Sequence, residues 1–278
     1  MNPHFHIRMI RSYIPDHQAQ QIKEKFEDAG FLTSLSTQIS TGGLESTYLL
    51  LSDGLLELSS VKNENLWSEQ YGNHAPFRKS PRPFMVGFGS DGLEDENASQ
   101  SGQGLELPRS PKAAYTYKTQ SDQTPGVEAW VFHYDPETLE NETSKLRMGD
   151  NSIFSVGGLL FCIAEPAQAQ EKWKTWLSEK GLICVEKDRN LLIDKQCLEF
   201  VDANQYEELF KTPWKTISHT SGHLGAIVFY AKDLDRSFHY LSNAGFSIAT
   251  RNKKRLWIKP DKSTGIAMII EKMHPKDY

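Results

Sequence analysis

The residues of this chain that could do chemistry are few, and they sit at strand spacing. In His4–Ile10 the apolar Phe5, Ile7 and Met9 alternate with His4, His6 and Arg8, the period of a half-buried strand, so His6 and Arg8 share one face. In Leu55–Ser60, Leu56 and Leu58 face one way, which turns Glu57 to the opposite side with Leu55 and Ser59. A carboxylate so placed can shuttle a proton, and an imidazole with a carboxylate is a donor pair for a divalent metal. A later run, Val127–Tyr134, adds Glu128, Trp130, His133 and Tyr134. Other devices are missing: there is no phosphate-cradling glycine loop, no Gly-x-Ser-x-Gly elbow and no His-Glu-x-x-His pair. Cys162, Cys184 and Cys197 lack zinc spacing, and Cys162 and Cys197 read as buried free thiols within apolar strands.

These residues have to be positioned by a unit that the chain repeats. Its clearest copy is Gly222–Phe246: an apolar strand at Gly225–Tyr230, a turn opening on Asp233, a helix carrying Phe238 and Leu241, and an exit at Gly245-Phe246. Ile7–Phe31 and Leu159–Leu182 repeat the pattern, and Trp173 and Trp176 are expected to pack their helix on a sheet. After the first copy come strands at Ser46–Leu51 and Leu55–Ser60, joined at Asp53-Gly54, a strong hairpin signal. Lys62–Arg82 reads as a turn-rich connection that packs over the sheet through aromatics such as Trp67. A strand at Phe84–Phe88 follows, then the polar loop Gly89–Lys112, then a hairpin of Tyr115–Thr119 and Val127–Tyr134. This second copy is degenerate, with its helix shortened or lost. A short helix is expected around Tyr206–Phe210, and Arg251, Lys253, Lys254 and Arg255 read as a solvated turn. The charged stretch Asp135–Asn151 divides the chain into an N-terminal half, 1–140, and a C-terminal half, 152–278.

Composition narrows the classes. With 38% hydrophobic and 24% charged residues the chain is globular rather than disordered, and a net charge of -5 argues against a nucleic-acid surface. No basic-then-apolar leader and no membrane-spanning run are visible, so the expectation is a soluble cytoplasmic protein.

Four strand–helix–strands units in pairs resemble the vicinal oxygen chelate superfamily, which includes glyoxalases, bleomycin-resistance proteins and extradiol dioxygenases. The likeness rests on Phe229-Tyr230-Ala231-Lys232-Asp233-Leu234-Asp235-Arg236-Ser237 leading to Ala244-Gly245-Phe246. It rests also on Asp53-Gly54-Leu55-Leu56-Glu57-Leu58 and Cys197-Leu198-Glu199-Phe200, which look like the family's closing strand. The resemblance implies an α+β fold of tandem βαβββ modules, four units paired into two curved sheets. Each pair curls into a cup that holds a metal or a small ligand, with metal ligands drawn from first and last strands.

Carried onto this chain, the resemblance makes His6, Glu57 and His133 candidate ligands of Fe, Mn, Ni, Co or Zn, with Glu57 also catalytic. Glu128 is an alternative to His133. Arg8, Lys118, Trp130 and Tyr134 are candidate substrate contacts. The function implied is glyoxalase-like lyase, isomerase or dioxygenase chemistry on a small organic molecule in the N-terminal cup. The alternative is a non-catalytic binding protein of the resistance or sequestration type, with an aromatic-lined cup that does no chemistry. Either way the partner is a small molecule rather than a nucleic acid or a membrane, and the chain would act as a monomer or homodimer.

Overall fold

The computed structural model describes residues 5–35, 39, 42–71, 82–91, 115–118, 123–134, 148–187, 190–213 and 222–273; the side chains of 5, 35, 70–71, 90–91, 115–118 and 132–134 lie outside that description. Unit one runs through β1 (Phe5–Tyr13), α1 (Ala19–Asp28), β2 (Leu32–Leu35), β3 (Leu44–Leu50) and β4 (Leu55–Val61). A single 3-10 turn after Pro15 starts α1, and Gly30 at φ +78° closes it in the left-handed conformation that glycine adopts without strain. Within the connection expected at Lys62–Arg82 lies a helix, α2 (Glu64–Tyr71), which leads to unit two: β5 (Arg82–Asp91), β6 (Tyr115–Lys118) and β7 (Glu128–Tyr134). Residues 92–114, which hold most of the expected polar loop, fall outside the described residues.

Unit three comprises β8 (Ile153–Ile163), α3 (Pro166–Glu179), β9 (Val185–Lys187), β10 (Asn190–Ile193) and β11 (Gln196–Val201). The linking helix α4 (Ala203–Phe210) is held by a reciprocal capping box between Asp202 and Gln205. Unit four closes the chain with β12 (Gly222–Ala231), α5 (Leu234–Asn243), β13 (Ile248–Arg251), β14 (Arg255–Ile258) and β15 (Met268–Lys272). Asp233 caps α5, its Oδ1 accepting from the backbone N–H groups of Asp235 and Arg236.

In every unit the first strand lies parallel to the last: β1 with β4, β5 with β7, β8 with β11, and β12 with β15. Units then join through their first strands, β1 against β5 and β8 against β12, both antiparallel. The result is two sheets, β2-β3-β4-β1-β5-β7-β6 and β13-β14-β15-β12-β8-β11-β10-β9. The architecture is α+β: four tandem βαβββ units paired into two curved sheets, the second unit degenerate with three strands among the described residues.

One apolar core lies between the sheets and takes in α1, α3 and α5. Phe26 of α1 meets Phe246 of unit four at 5.4 Å, and Trp173 and Trp176 of α3 meet Phe88 of unit two at 6.1 and 5.7 Å. The tryptophans therefore pack on a sheet as expected, and they also cover unit two. A polar clasp crosses the seam: fully buried Gln196 accepts from the backbone N–H of Ile7 and donates to the Val156 carbonyl at 2.9 Å. Gln196→Leu strands both backbone groups away from water, so a loss of about 2–4 kcal/mol in urea-measured stability is expected. A loss below about 0.5 kcal/mol would mean that water replaces the clasp.

Each sheet turns its other face, the cup face, away from this core, and a linking helix covers part of each. In the N-terminal half Trp67 of α2 joins Met9, Tyr13, Leu44, Phe84, Met85 and Trp130. In the C-terminal half Tyr206 and Phe210 of α4 pack on Leu160, Ala226, Val228, Trp257 and Ile269. Gly225 makes room there, since a Cβ at that position would lie 2.9 Å from the Tyr206 ring. Among the described residues no helix is long and apolar enough to cross a membrane.

Candidate functional site

The N-terminal cup is built on β1, β3 and β4, and a β-bulge decides which side chains enter it. Opposite β5, Ile7 pairs with Phe88 and Met9 with Gly87, which leaves Arg8 as an extra residue. Beyond the bulge the alternation is reset: Ile7 and Ile10 both enter the core, while Met9 and Tyr13 turn to the cup. The expectation that Ile7 and Met9 share one face is therefore corrected, because that pattern assumed an unbroken strand, while His6 and Arg8 still reach one carboxylate, that of Asp53.

Arg11 takes the place at the centre. It lies beside Glu57 in the parallel β1–β4 register, and its Nε donates to Glu57 Oε2 at 2.8 Å. Ser46 of β3 donates to Glu57 Oε1 at 2.6 Å and Ser59 donates to it at 3.0 Å. The two serine hydroxyls also lie 2.9 Å apart. With Arg11 at 3% and Glu57 at 2% exposure, the pair is shut away from solvent. Tyr48 borders it on β3, where burial and then the Glu57 charge push its phenol well above the usual range, so it remains a neutral donor.

An aromatic wall shares this face, with Met9 and Tyr13 on either side of Arg11 along β1. Tyr13 stacks on Phe84 at 3.8 Å with planes 5° apart, and the Trp67 indole N–H donates to the Tyr13 hydroxyl at 2.9 Å. Trp130, nine-tenths buried, donates to Glu128 Oε1 at 2.6 Å.

The remaining expected site residues are placed as follows. His6 Nδ1 lies 3.3 Å from Asp53 Oδ2, and Arg8 Nη1 pairs with Asp53 Oδ1 at 2.5 Å. Asp53 also binds across the seam, its carbonyl accepting from the Val156 N–H at 3.2 Å. His6 and Arg8 thus meet at Asp53, while Glu57 meets Arg11. His133 and Tyr134 lie on β7 and Lys118 lies on β6 opposite Trp130, with all three side chains outside the described residues.

The donor set at Glu57 does not fit a divalent metal. Both of its oxygens are taken, one by a guanidinium, and an added cation would sit against that positive charge. Among the described residues no three His, Cys, Asp or Glu side chains converge as a metal centre needs.

Arg11, Ser46 and Tyr48 were not singled out from sequence. Arg255 stands in the basic stretch read as a solvated turn, and it needs separating from its neighbours. Lys253 and Lys254 are exposed and Arg251 pairs with Asp235, but Arg255 begins β14 and reaches Glu199 and Glu271. The signal was the alternation Arg255-Leu256-Trp257-Ile258, with Leu256 and Ile258 in the core and Trp257 in the cup cluster.

No protein-family model and no curated protein matches this sequence. Solved structures do. A xylose isomerase-like TIM barrel/4-hydroxyphenylpyruvate dioxygenase fusion protein matches 97% of this chain with a TM-score of 0.61 at 10% identity; the chain spans about half of that protein, 49%. A hypothetical protein from Staphylococcus aureus matches 98% of this chain and 100% of its own, with a TM-score of 0.61 at 10% identity. A mutant of 4-hydroxymandelate synthase from Streptomyces coelicolor matches 98% of this chain and 93% of its own, with a TM-score of 0.57 at 10% identity. With the four-unit topology, these likenesses establish that the chain has the vicinal oxygen chelate fold.

Proposed function

We propose that this protein binds a small organic molecule in the N-terminal cup, against the aromatic wall, with no metal at Glu57. The observation that carries the reading is the closed floor: Glu57 is neutralised by Arg11 and hydrogen-bonded by Ser46 and Ser59. A floor with no net charge beside Tyr13, Phe84 and Trp130 favours a flat, aromatic ligand with a polar substituent. The sequestration alternative fits this better than metal-dependent lyase, isomerase or dioxygenase chemistry.

The metal-dependent reading is favoured by one observation, the names of two similar structures, a dioxygenase fusion and a synthase. Those names also supply first probes: 4-hydroxyphenylpyruvate and 4-hydroxymandelate, run beside neutral phenols. Thermal melts with each compound, with and without Fe²⁺ or Mn²⁺, separate the readings. A ligand at 100 times its Kd should add about 2.7 kcal/mol, several degrees in Tm, and should do so without metal. Trp130→Ala should remove most of that shift. Stabilisation or turnover only with metal present would transfer the case to the metalloenzyme. Shifts unchanged by Trp130→Ala would place the ligand elsewhere.

A further inference from the structure

The C-terminal cup shows what stands where a cation would. Glu199 lies on β11, the closing strand of unit three, and Glu271 on β15, the closing strand of unit four. Leu198 and Phe200 on one strand, and Met268 and Ile270 on the other, enter the core, so both carboxylates belong to the cup face. They converge on one group. Arg255 Nη2 lies 2.8 Å from Glu199 Oε1 and 2.7 Å from Glu271 Oε2, its Nε donates to Glu271 Oε2 at 2.9 Å, and Nη1 donates to Glu199 Oε2 at 3.3 Å.

Two carboxylates that share a nitrogen at such distances repel each other strongly unless a cation lies between them. Burial works against the Arg255 charge, yet Glu199 and Glu271 outweigh it and hold the guanidinium above its usual pKa. Cys197, two residues before Glu199 on the same face, feels all three groups; burial first, then the Glu199 charge, push its thiol up to about 12.

The N-terminal cup has the same pairing from a different source. There the closing-strand carboxylate is Glu57 and the guanidinium comes from Arg11 on the first strand of unit one. In the C-terminal cup it comes from the third strand of unit four. One repeated position therefore does not account for both arginines; what recurs is a fixed positive charge beside the closing-strand carboxylate.

We infer that Arg255 is the resident cation of a two-carboxylate site in the C-terminal cup, tethered so that Glu199 and Glu271 are closed to divalent metal ions and open to them once the guanidinium is removed. This concerns the other cup, so it stands or falls apart from ligand binding beside Trp130. A metal ion entering the native site has to displace a guanidinium that β14 holds in place. With Arg255 gone, two carboxylates face each other with no counter-charge between them, oxygen donors open to a divalent ion that brings its own waters.

The test uses EDTA-stripped full-length protein titrated with Co²⁺, Zn²⁺ and Mn²⁺, read by thermal melts and, for Co²⁺, by absorption. Wild type should show no saturable site that depends on Glu199 or Glu271. Arg255→Ala should gain one Co²⁺ or Zn²⁺ per chain, at least tenfold tighter than wild type, and the double variant Arg255→Ala/Glu271→Gln should lose it. Guanidinium at low millimolar concentration should raise the Tm of Arg255→Ala alone. A folded Arg255→Ala protein with no gain in metal affinity overturns the inference. So does a wild-type site abolished by Glu199→Gln or Glu271→Gln, a measurement that holds even where Arg255→Ala does not fold.

Discussion

Arg11→Met is expected to destabilise the protein by about 3–5 kcal/mol, because it leaves Glu57 buried beside an apolar side chain with its charge uncompensated. Much of that loss should return when Glu57→Leu is added. The double variant removes both charges at once, and Ser46 and Ser59, already 2.9 Å apart, can satisfy each other. Replacing a buried ion pair by apolar groups of similar volume is often neutral or even stabilising. The measurement is a double-mutant cycle from urea denaturation, and the expected coupling is at least about 2 kcal/mol.

The same cycle separates two views of Glu57. If a metal were its working partner, Arg11→Met would cost little, Glu57→Leu would cost metal affinity, and the two effects would simply add. If the guanidinium is its partner, the effects are strongly coupled. An Arg11→Met cost below about 1 kcal/mol would end the ion-pair account, since breaking a pair this buried leaves no inexpensive alternative.

The repeat was legible because its punctuation is local. Asp233 capping a helix, Gly30 and Gly245 ending helices at positive φ, and Asp53-Gly54 joining β3 to β4 are each read within a few residues. The side of β4 on which Glu57 lies was legible for the same reason, since Leu56 and Leu58 fix the alternation. Its partner was not: Arg11 lies 46 residues away, and the bulge at Arg8 carries no residue signature, so unbroken alternation pointed to His6 and Arg8 instead. β8 starts at Ile153, ahead of the expected Leu159, and runs straight through Gly157-Gly158. Gly158, at φ +150° with the Cys197 carbonyl 2.0 Å from where a Cβ would be, lets β11 close against the strand. That Trp67 packs over the sheet was legible from its place in an aromatic-bearing connection, but the covering of the second cup by Tyr206 and Phe210 depends on tertiary packing that periodicity within an eight-residue helix does not reveal.

Lowering the pH should destabilise the protein through one buried histidine. His223 on β12 is 3% exposed, opposite Cys162 and 6.2 Å from the Tyr206 ring. Unit two presses on it as well: a Cβ at Gly126 would lie 3.3 Å from the His223 backbone, and the Gly126 carbonyl accepts from the Leu224 N–H at 3.0 Å. Burial, and then the Arg82 charge, bring the His223 pKa down to about 4. In the unfolded chain the imidazole takes its proton near its ordinary value of about 6.5. Between those two values the unfolded state binds more protons, so acid favours unfolding. The contribution is whole above pH ~6.5, falls through the window, and by pH ~4 about 3 kcal/mol is lost. Other groups titrate over the same range, so the informative quantity is the difference between wild type and His223→Phe. The phenyl ring fills similar space and carries no proton, so the variant's unfolding free energy should fall less steeply from pH 6.5 to 4, and the two curves should converge toward the acid end. Parallel curves would show that His223 accepts a proton in the folded protein as readily as in water.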